Sequence, residues 1–249
     1  ADIDVGTLTL DRFLSPADAK PEGEKSAEGT GPDLSGLSAF NADLTARLAG
    51  VTFHNAEIGA TTLRLDLQNG KMQSSLSPAS LYGGTMRGKL DLLPSARRSP
   101  PSFAAAVTLD GVNVDQLLTK LNGSSRLSGT ADFTTTLTGP VLGGEALMAA
   151  MDGEGRFMFR DGAVKGVNIA AILRRAKSLL GNSSGTVEEG PAQTDFTELS
   201  GSFRITDGVA RNDDLKMLSP LLRVTGKGSA NLASQIADYR IEAALVADL

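Results

Sequence analysis

Apolar and polar side chains alternate with a period of two through most of this chain. From Leu63 to Leu67 every second residue is leucine, and Asn69-Gly70 follows directly. A period of two is typical of a half-buried β-strand. Asn-Gly is the preferred pair of a two-residue hairpin turn, because both positions need positive φ. The sequence therefore predicts a hairpin with one apolar face, in which Leu67 faces Met72 and Leu63 faces Leu76.

The same turn device recurs along the chain. Gly83-Gly84, Asp161-Gly162 and Asp207-Gly208 each separate two alternating segments. The second of these turns is predicted to bring Phe159 opposite Val164. Adjacent strands joined by two-residue turns form a meander. The predicted fold is mainly β: a long, curved antiparallel sheet of meander hairpins, half-barrel or groove-like, with two or three short helices.

Three segments have helical patterns. Asn113 or Asp115 is a candidate cap for a short helix, and residues 144–151 form a second candidate. Residues 168–180 form the clearest one, with an apolar stripe from Ile169 to Leu180. Its basic residues are Arg174, Arg175 and Lys177. They fit a helix packed on or plugging the sheet, with cations near its C-terminus, and they are also candidate contacts for lipid headgroups.

Composition changes divide the chain into segments. Residues 1–14 read as an N-terminal strand of a truncated longer chain, and residues 15–36 are polar and rich in Gly and Pro, which predicts a flexible linker or loop. Residues 37–249 are predicted to form one β domain, with a flexible loop near residues 181–194. The chain contains no long apolar run, so any membrane anchor would lie outside this fragment.

Composition also excludes several classes of function. The 249 residues carry a net charge of −5 and no basic stripe with interleaved aromatics, which argues against nucleic acid as a partner. There are no cysteines, so disulfides, thiolate zinc sites and cysteine nucleophiles are excluded. This usage fits either a reducing cytosol or a periplasmic protein that avoids thiols. Aromatics make up only 4% of the chain, as flat sheet faces built from Leu, Ala and Val would explain.

Few residues suggest catalysis or metal binding. His54 is the one histidine of the chain, and no Gly-x-Ser-x-Gly motif accompanies it. The segment 212–214, Asn-Asp-Asp, has oxygen ligands but not the spacing of a calcium loop. Gly153-Glu154-Gly155 and Gly226-Lys227-Gly228 do not complete a phosphate-binding motif. Glycines of this kind within strands more often mark bulges or close backbone approach. We predict no catalytic residue, no metal site and no cofactor.

Four segments together resemble a known family. They are Leu-Tyr-Gly-Gly-Thr-Met-Arg-Gly (81–88), Gly-Val-Asn-Val-Asp-Gln-Leu-Leu (111–118), the segment 153–169 and the segment 199–210. In order and spacing they look like the C-terminal region of AsmA-family proteins, from about residue 37 to the end. The resemblance implies a periplasmic region of an inner-membrane-anchored protein with a role in outer-membrane biogenesis. It also implies likeness to TamB and to chorein-type bridge proteins, whose curved sheets form hydrophobic grooves for lipid passage, and it implies no catalytic residue.

The alternation itself has a physical consequence. Each strand has an apolar side that must be covered, and the predicted helices are too few to cover about a dozen strands. The sheet must curl on itself, pair with another copy or hold a ligand, and phospholipid acyl chains are suitable ligands. The candidate groove lining is Leu44, Ala46, Leu48, Leu63, Leu65, Leu67, Leu90, Leu92, Phe103, Val107, Phe133, Phe157, Phe159, Phe203 and Ile205. The alternatives are an envelope module that binds a protein partner by exposed sheet edges, and a hydrolase that uses His54.

Overall fold

The computed structural model describes residues 1–9, 34–94, 100–169, 171–172 and 192–246. In these residues the chain forms one 13-stranded sheet. The strands are β1 (Asp2–Thr9), β2 (Ala42–Phe53), β3 (Ala56–Ile58), β4 (Thr61–Gln68), β5 (Lys71–Leu81), β6 (Gly84–Leu93), β7 (Ser102–Asn113), β8 (Thr130–Pro140), β9 (Asp152–Lys165), β10 (Gln193–Thr206), β11 (Val209–Leu218), β12 (Leu222–Asn231) and β13 (Ile236–Leu245).

The strands lie in the sheet almost in the order in which they occur in the chain. From β4 to β13 each strand pairs antiparallel with the next, which is the predicted meander. β3 is a short strand that pairs with β2, off the main path. β1 pairs with β2 in parallel, which the alternation did not predict. The result is a long, open and mostly antiparallel sheet.

Two of the predicted hairpin turns are confirmed. Asn69 and Gly70 have φ of 53° and 79°, and the register pairs Leu67 with Met72 and Leu63 with Leu76. Asp207 and Gly208 have φ of 47° and 70° and join β10 to β11. Positive φ at both central residues twists these turns in the same hand as the strands that they connect.

The third predicted turn is displaced by one residue. β5 and β6 are joined by Tyr82 and Gly83, with φ of 42° and 85°, and Gly84 already pairs with Leu81. A Cβ on Gly84 would lie only 2.5 Å from the backbone nitrogen of Val112. The glycine is therefore needed for the close approach of β7, and Tyr82 takes the turn position.

The prediction of a turn at Asp161-Gly162 is wrong. β9 runs without interruption from Asp152 to Lys165, and Phe159 lies opposite Ala131 and Leu199 rather than Val164. Asp161 does have a positive φ of 49°. The strand does not reverse there, because β10 pairs with β9 on both sides of Asp161 in one unbroken register.

Two short helices connect strands, close to where the sequence predicts them. Helix α1 (Val114–Asn122) is capped by Asn113, whose side chain accepts a hydrogen bond from the backbone N–H of Gln116. Helix α2 covers Gly144–Ala149, two residues shorter than predicted. A 3₁₀-helix spans Ser35–Ser38.

The third predicted helix is described only at its start. Asn168 caps it as predicted, since its side-chain oxygen lies 2.9 Å from the backbone nitrogen of Ala171. Most of residues 168–180 lie outside the described part of the chain. So do most of the predicted linker at 15–36 and of the predicted loop at 181–194.

Three of the described strands contain a β-bulge, and a side-chain-to-backbone hydrogen bond lies at each one. The register shifts lie between Leu76 and Ala79 in β5, between Leu109 and Val112 in β7, and between Asn212 and Leu215 in β11. Thr61 donates to the carbonyl of Ser77 at 2.8 Å. Asp132 accepts from the backbone N–H of Gly111 at 2.9 Å, and Asp214 accepts from the backbone N–H of Ser202 at 2.8 Å. Because a bulge disrupts the ladder locally, these bonds satisfy groups that would otherwise lack partners.

Some of the buried side chains form two separate small clusters. One contains Ala46, Leu48 and Val51, near β1 and β3. The other contains Phe196, Met217, Leu222 and Val224, and is covered in part by Leu127 and Ile169. A compact domain usually has one contiguous core. Here the middle of the sheet, from β5 to β8, contributes to neither cluster.

We predict that Gly208→Ala destabilises the protein far more than Gly123→Ala. Both glycines have left-handed backbones, with φ of 70° and 74°, so each substitution costs about 1–2 kcal/mol in backbone strain. A Cβ on Gly208 would also overlap the carbonyl of Met148, whereas the space around Gly123 is open. We expect urea denaturation to show an additional loss of roughly 2 kcal/mol for Gly208→Ala. Equal losses would show that the contact with α2 does not constrain this turn.

Candidate functional site

A single row of directly paired residues crosses the sheet from β2 to β13 on one face. It consists of Leu44, Leu65, Ser74, Leu90, Ala105, Leu137, Gly153, Ile205, Ala210, Ala230 and Ala237. Paired residues in a sheet point to the same side. At about 4.8 Å per strand, the row is roughly 50 Å long. We call the face that carries this row the apolar face.

The apolar face has no charged side chain over most of its described strands. Asp, Glu, Lys and Arg are absent from its residues in β2 up to Gly50, in β4 to β8, in β11 on either side of the bulge residues 213 and 214, and in β12 and β13. The same holds in β9 as far as Phe159 and in β10 from Leu199 onward. A second row of directly paired residues lies one residue further along each strand and points to the opposite side of the sheet. It consists of Thr45, Arg64, Ser75, Lys89, Ala106, Thr136, Glu154, Arg204, Arg211, Ser229 and Asp238. We call the side with this second row the charged face.

The hydroxyl groups near the middle of the apolar face bond to the sheet itself. Ser74 donates to the carbonyl of Leu90 at 2.8 Å, and Thr135 donates to the carbonyl of Glu154 at 3.0 Å. An unpaired polar group would be costly against an apolar ligand. Since these donors are already used within the sheet, the two side chains present mainly carbon to whatever contacts the face.

The structure places every candidate lining residue on the apolar face. Ala46, Leu48, Leu67 and Ile205 are buried there, Leu90 is 38% exposed, and the remaining candidates are half-buried. The candidates therefore share one surface.

Aromatic rings on the apolar face lie over glycines of the neighbouring strands. Phe203 pairs with Gly155, Phe157 with Gly201, Phe103 with Gly139, and Tyr239 with Gly228. A Cβ built on Gly201 would lie 2.9 Å from Cζ of Phe157, and one on Gly228 would lie 2.6 Å from Cδ2 of Tyr239. Each ring thus occupies the volume of a missing side chain, an arrangement that stabilises strand glycines.

The same pairing lets rings from different strands meet. Phe133 of β8 and Phe203 of β10 are stacked across β9, with ring centroids 6.1 Å apart. Phe157 and Phe159 lie 5.6 Å apart on β9. Because the rings lie against the backbone, they add apolar area without forming tall ridges. Gly155 and Gly228, which belong to the incomplete phosphate-loop patterns, have this packing role.

A polar network crosses strands β10 to β13 at the bulge of β11. The hydroxyl of Tyr239 donates to the side-chain oxygen of Asn212, and the amide nitrogen of Asn212 lies 2.6 Å from the carbonyl oxygen of Ser202. The backbone hydrogen bond from Ser202 holds the pKa of the Asp214 carboxyl below its usual value. Burial, together with the negative charge of Asp214, raises the pKa of Tyr239. The network attaches β13 to the inner strands.

The charged face contains shallow, polar depressions. One of about 720 Å³ is lined by Arg87, Arg156, Arg160, Lys216 and neighbouring hydroxyl groups, and others of about 350, 450 and 530 Å³ lie along the same face. Arg160 is paired with Asp132 in the largest one. The charged side chains that line these depressions lie on the opposite side of the strands from the apolar face.

The other candidate residues are distributed elsewhere. His54 lies exposed in the turn between β2 and β3, with φ of 45°, and its ring contacts Phe53 edge-on at 4.2 Å. Asp214 of the segment 212–214 bonds to Ser202. The described residues contain no group of three or more His, Asp or Glu that could hold a metal ion. Arg174, Arg175 and Lys177 lie outside the described residues.

This geometry defines a class of protein: a long open β-sheet that separates an apolar face, uncharged over most of its described strands, from a charged one. The sequence profile of the AsmA family matches residues 14–215, most of the chain. The chain therefore belongs to the AsmA family. None of the described helices is both long enough and apolar enough to span a membrane.

One curated relative is Protein AsmA of Escherichia coli (strain K12). The two sequences are 22% identical over 217 residues, which is 86% of this chain and 34% of that protein. The chain thus spans about a third of the length of this relative. Comparison with solved structures gives no significant match.

We predict that Gly201→Ala disturbs the apolar face, whereas Gly88→Ala does not. A Cβ at position 201 would displace the ring of Phe157, whereas at position 88 the nearest atom is the Cβ of Leu76, at 3.8 Å. Overpacking of this kind costs about 1–3 kcal/mol, and Gly88→Ala should be neutral or stabilise by up to about 1 kcal/mol.

A double-mutant cycle checks the cause of this effect. When Phe157→Leu is already present, Gly201→Ala should cost less, because the ring that it displaces is gone. Urea denaturation of the four proteins measures the coupling. Purely additive losses would contradict the packing of this ring on Gly201.

Proposed function

We propose that this chain is a non-enzymatic β-sheet module of a periplasmic protein tethered to the inner membrane. In this proposal it supports outer-membrane biogenesis by holding or conducting phospholipid along the apolar face. Membership of the AsmA family supports the assignment to the cell envelope. The observation that carries the lipid proposal is the apolar face, about 50 Å long, in a protein whose described residues form two small buried clusters.

The size and chemistry of the apolar face suit acyl chains. One leaflet of a bilayer contributes about 15 Å of hydrocarbon, so the row from Leu44 to Ala237 is about three times as long as one acyl chain laid along it. Each methylene buried there contributes about 0.8 kcal/mol. Apolar contacts are not directional, so a chain can move from strand to strand without breaking specific bonds.

The flattened rings support sliding of the ligand. Phe157 and Phe203 cover glycines of adjacent strands and do not project between them. A ligand therefore meets a low surface of Leu, Ala and ring carbons near the centre of the sheet. The charged face keeps the opposite side of the module compatible with water.

We predict that acyl chains contact the apolar face and not the charged face. Val107 and Thr108 are adjacent, half-buried residues of β7 that point to opposite sides of the sheet. A photoreactive amino acid at position 107 should crosslink to phospholipid in cells that make the protein, and the same group at position 108 should not. Mass spectrometry of the crosslinked protein identifies the lipid. Equal crosslinking at both positions would contradict the assignment of the face.

We also predict that a charge on the apolar face blocks binding. Leu90→Glu should reduce crosslinking at position 107 at least about tenfold, because burying a carboxylate beside acyl chains is costly. Lys89→Glu places the same side chain one residue away on the charged face and should have little effect. Circular dichroism and urea denaturation of both variants verify that they are folded. Unchanged crosslinking in folded Leu90→Glu would count against a lipid site here.

A protein partner at a sheet edge is the second candidate function. The free edge of β13 favours it, since this strand pairs on one side only within the described sheet.

A further inference from the structure

The last strand of the sheet has an unpaired edge with apolar side chains. In the described part of the chain, β13 has β12 as its one neighbour. Ile236 is 68% exposed and Ile241 is 59% exposed. An edge of this length is a ready template for another strand.

The backbone groups of this edge alternate in a defined way. The backbone N–H of Val246 donates to the carbonyl of Leu221 at 3.0 Å, so residue 246 faces β12. Because the direction alternates along a strand, the outward residues of β13 are the odd-numbered ones. They are Ala237, Tyr239, Ile241, Ala243 and Leu245, whose side chains all lie on the apolar face.

We propose that β13 pairs antiparallel with β13 of a second copy of this chain, about a two-fold axis at Ile241. In this register Tyr239 lies opposite Ala243, and Ala237 lies opposite Leu245. On the charged face Arg240 lies opposite Glu242 twice, once on each side of the axis. Pairs of opposite charge directly across two strands are stabilising. The proposal is independent of whether lipid binds.

Charge selects this register over the neighbouring ones. An axis at Arg240 places Arg240 against itself and Asp238 against Glu242, and an axis at Glu242 places that residue against itself. Like charges directly opposite one another are destabilising. An axis at Tyr239 leaves Ala243 to Leu245 without partners, whereas the axis at Ile241 pairs the whole strand.

The paired assembly has a simple geometry. A two-fold axis normal to the sheet does not exchange the two sides of the sheet. The apolar faces of the two copies therefore lie on the same side and become continuous. The interface is isologous and closes after two copies. It uses the outward N–H and C=O groups of both strands and leaves the β12–β13 ladder of each copy intact.

Cysteine crosslinking tests the register, because the natural chain has no cysteine. Ile241→Cys should crosslink two copies with a short bis-maleimide, since paired residues on the axis have Cα atoms about 5.5 Å apart. Ala237→Cys alone should not, because its two copies lie about 27 Å apart along the strands. The double variant Ala237→Cys, Leu245→Cys should crosslink again.

Charge exchange tests the pairing itself by light scattering over a range of concentrations. Arg240→Glu and Glu242→Arg should each raise the dimer dissociation constant about tenfold or more, by placing like charges opposite each other. Combining both substitutions should restore dimerisation. Ile241→Pro should give a folded monomer, because proline is tolerated where the N–H faces away from the sheet.

Three results would overturn the proposal. The first is a chain that stays monomeric, whether the edge of β13 is unoccupied or bound by another protein. The second is crosslinking of Ala237→Cys alone at the level of Ile241→Cys. The third is a dimer that the charge exchanges leave unchanged. Lipid crosslinking at position 107, measured on the same chain, separates failure of this pairing from failure of the lipid site.

Discussion

The whole structure depends on keeping apolar side chains in phase across an open sheet. A slip of one residue in any strand would exchange the two faces. In β5 the apolar positions change from even to odd numbers between Leu76 and Ala79, and the bulge there absorbs the extra residue. β7 and β11 change phase in the same way and contain the other two bulges. Each bulge thus keeps the apolar positions on one face, and side-chain hydrogen bonds, such as the one that the Asp214 carboxylate accepts from the backbone N–H of Ser202, reduce its cost.

A second constraint acts on the height of this face. Large rings provide apolar area, but upright rings on adjacent strands would form ridges. Glycines at positions such as 155 and 201 let Phe203 and Phe157 lie against the neighbouring backbone. This pairing gives one physical reason for both the many strand glycines and the few aromatics. It also couples stability to surface shape, because filling the glycine would lift the ring.

The open sheet has consequences at its ends as well as on its face. Small clusters around Leu48 and Leu222 bury part of the apolar surface, while Leu90 remains 38% exposed in the middle and Ile241 is 59% exposed at the edge of β13. Covering that middle with acyl chains requires no directional bonds, and extending it requires only another strand at an edge. The lipid and pairing proposals therefore use two different free surfaces of the same sheet, its face and the edge of β13.

The sequence by itself determined most of the strands, two of the hairpin turns, the Asn168 helix cap and the alternation that puts the candidate lining residues in one apolar set, because each follows from local periodicity or turn chemistry. Tertiary structure decided the rest. Asp161-Gly162 resembles a turn, yet β10 pairs with β9 on both sides of it and the strand continues. In the sequence, each bulge coincides with a shift of the apolar positions by one residue. Such a shift is equally consistent with the end of a strand, and pairing with the neighbouring strand decides between the two. The parallel β1 and the aromatic–glycine pairs likewise depend on which strands become neighbours, since the groups that meet are far apart along the chain.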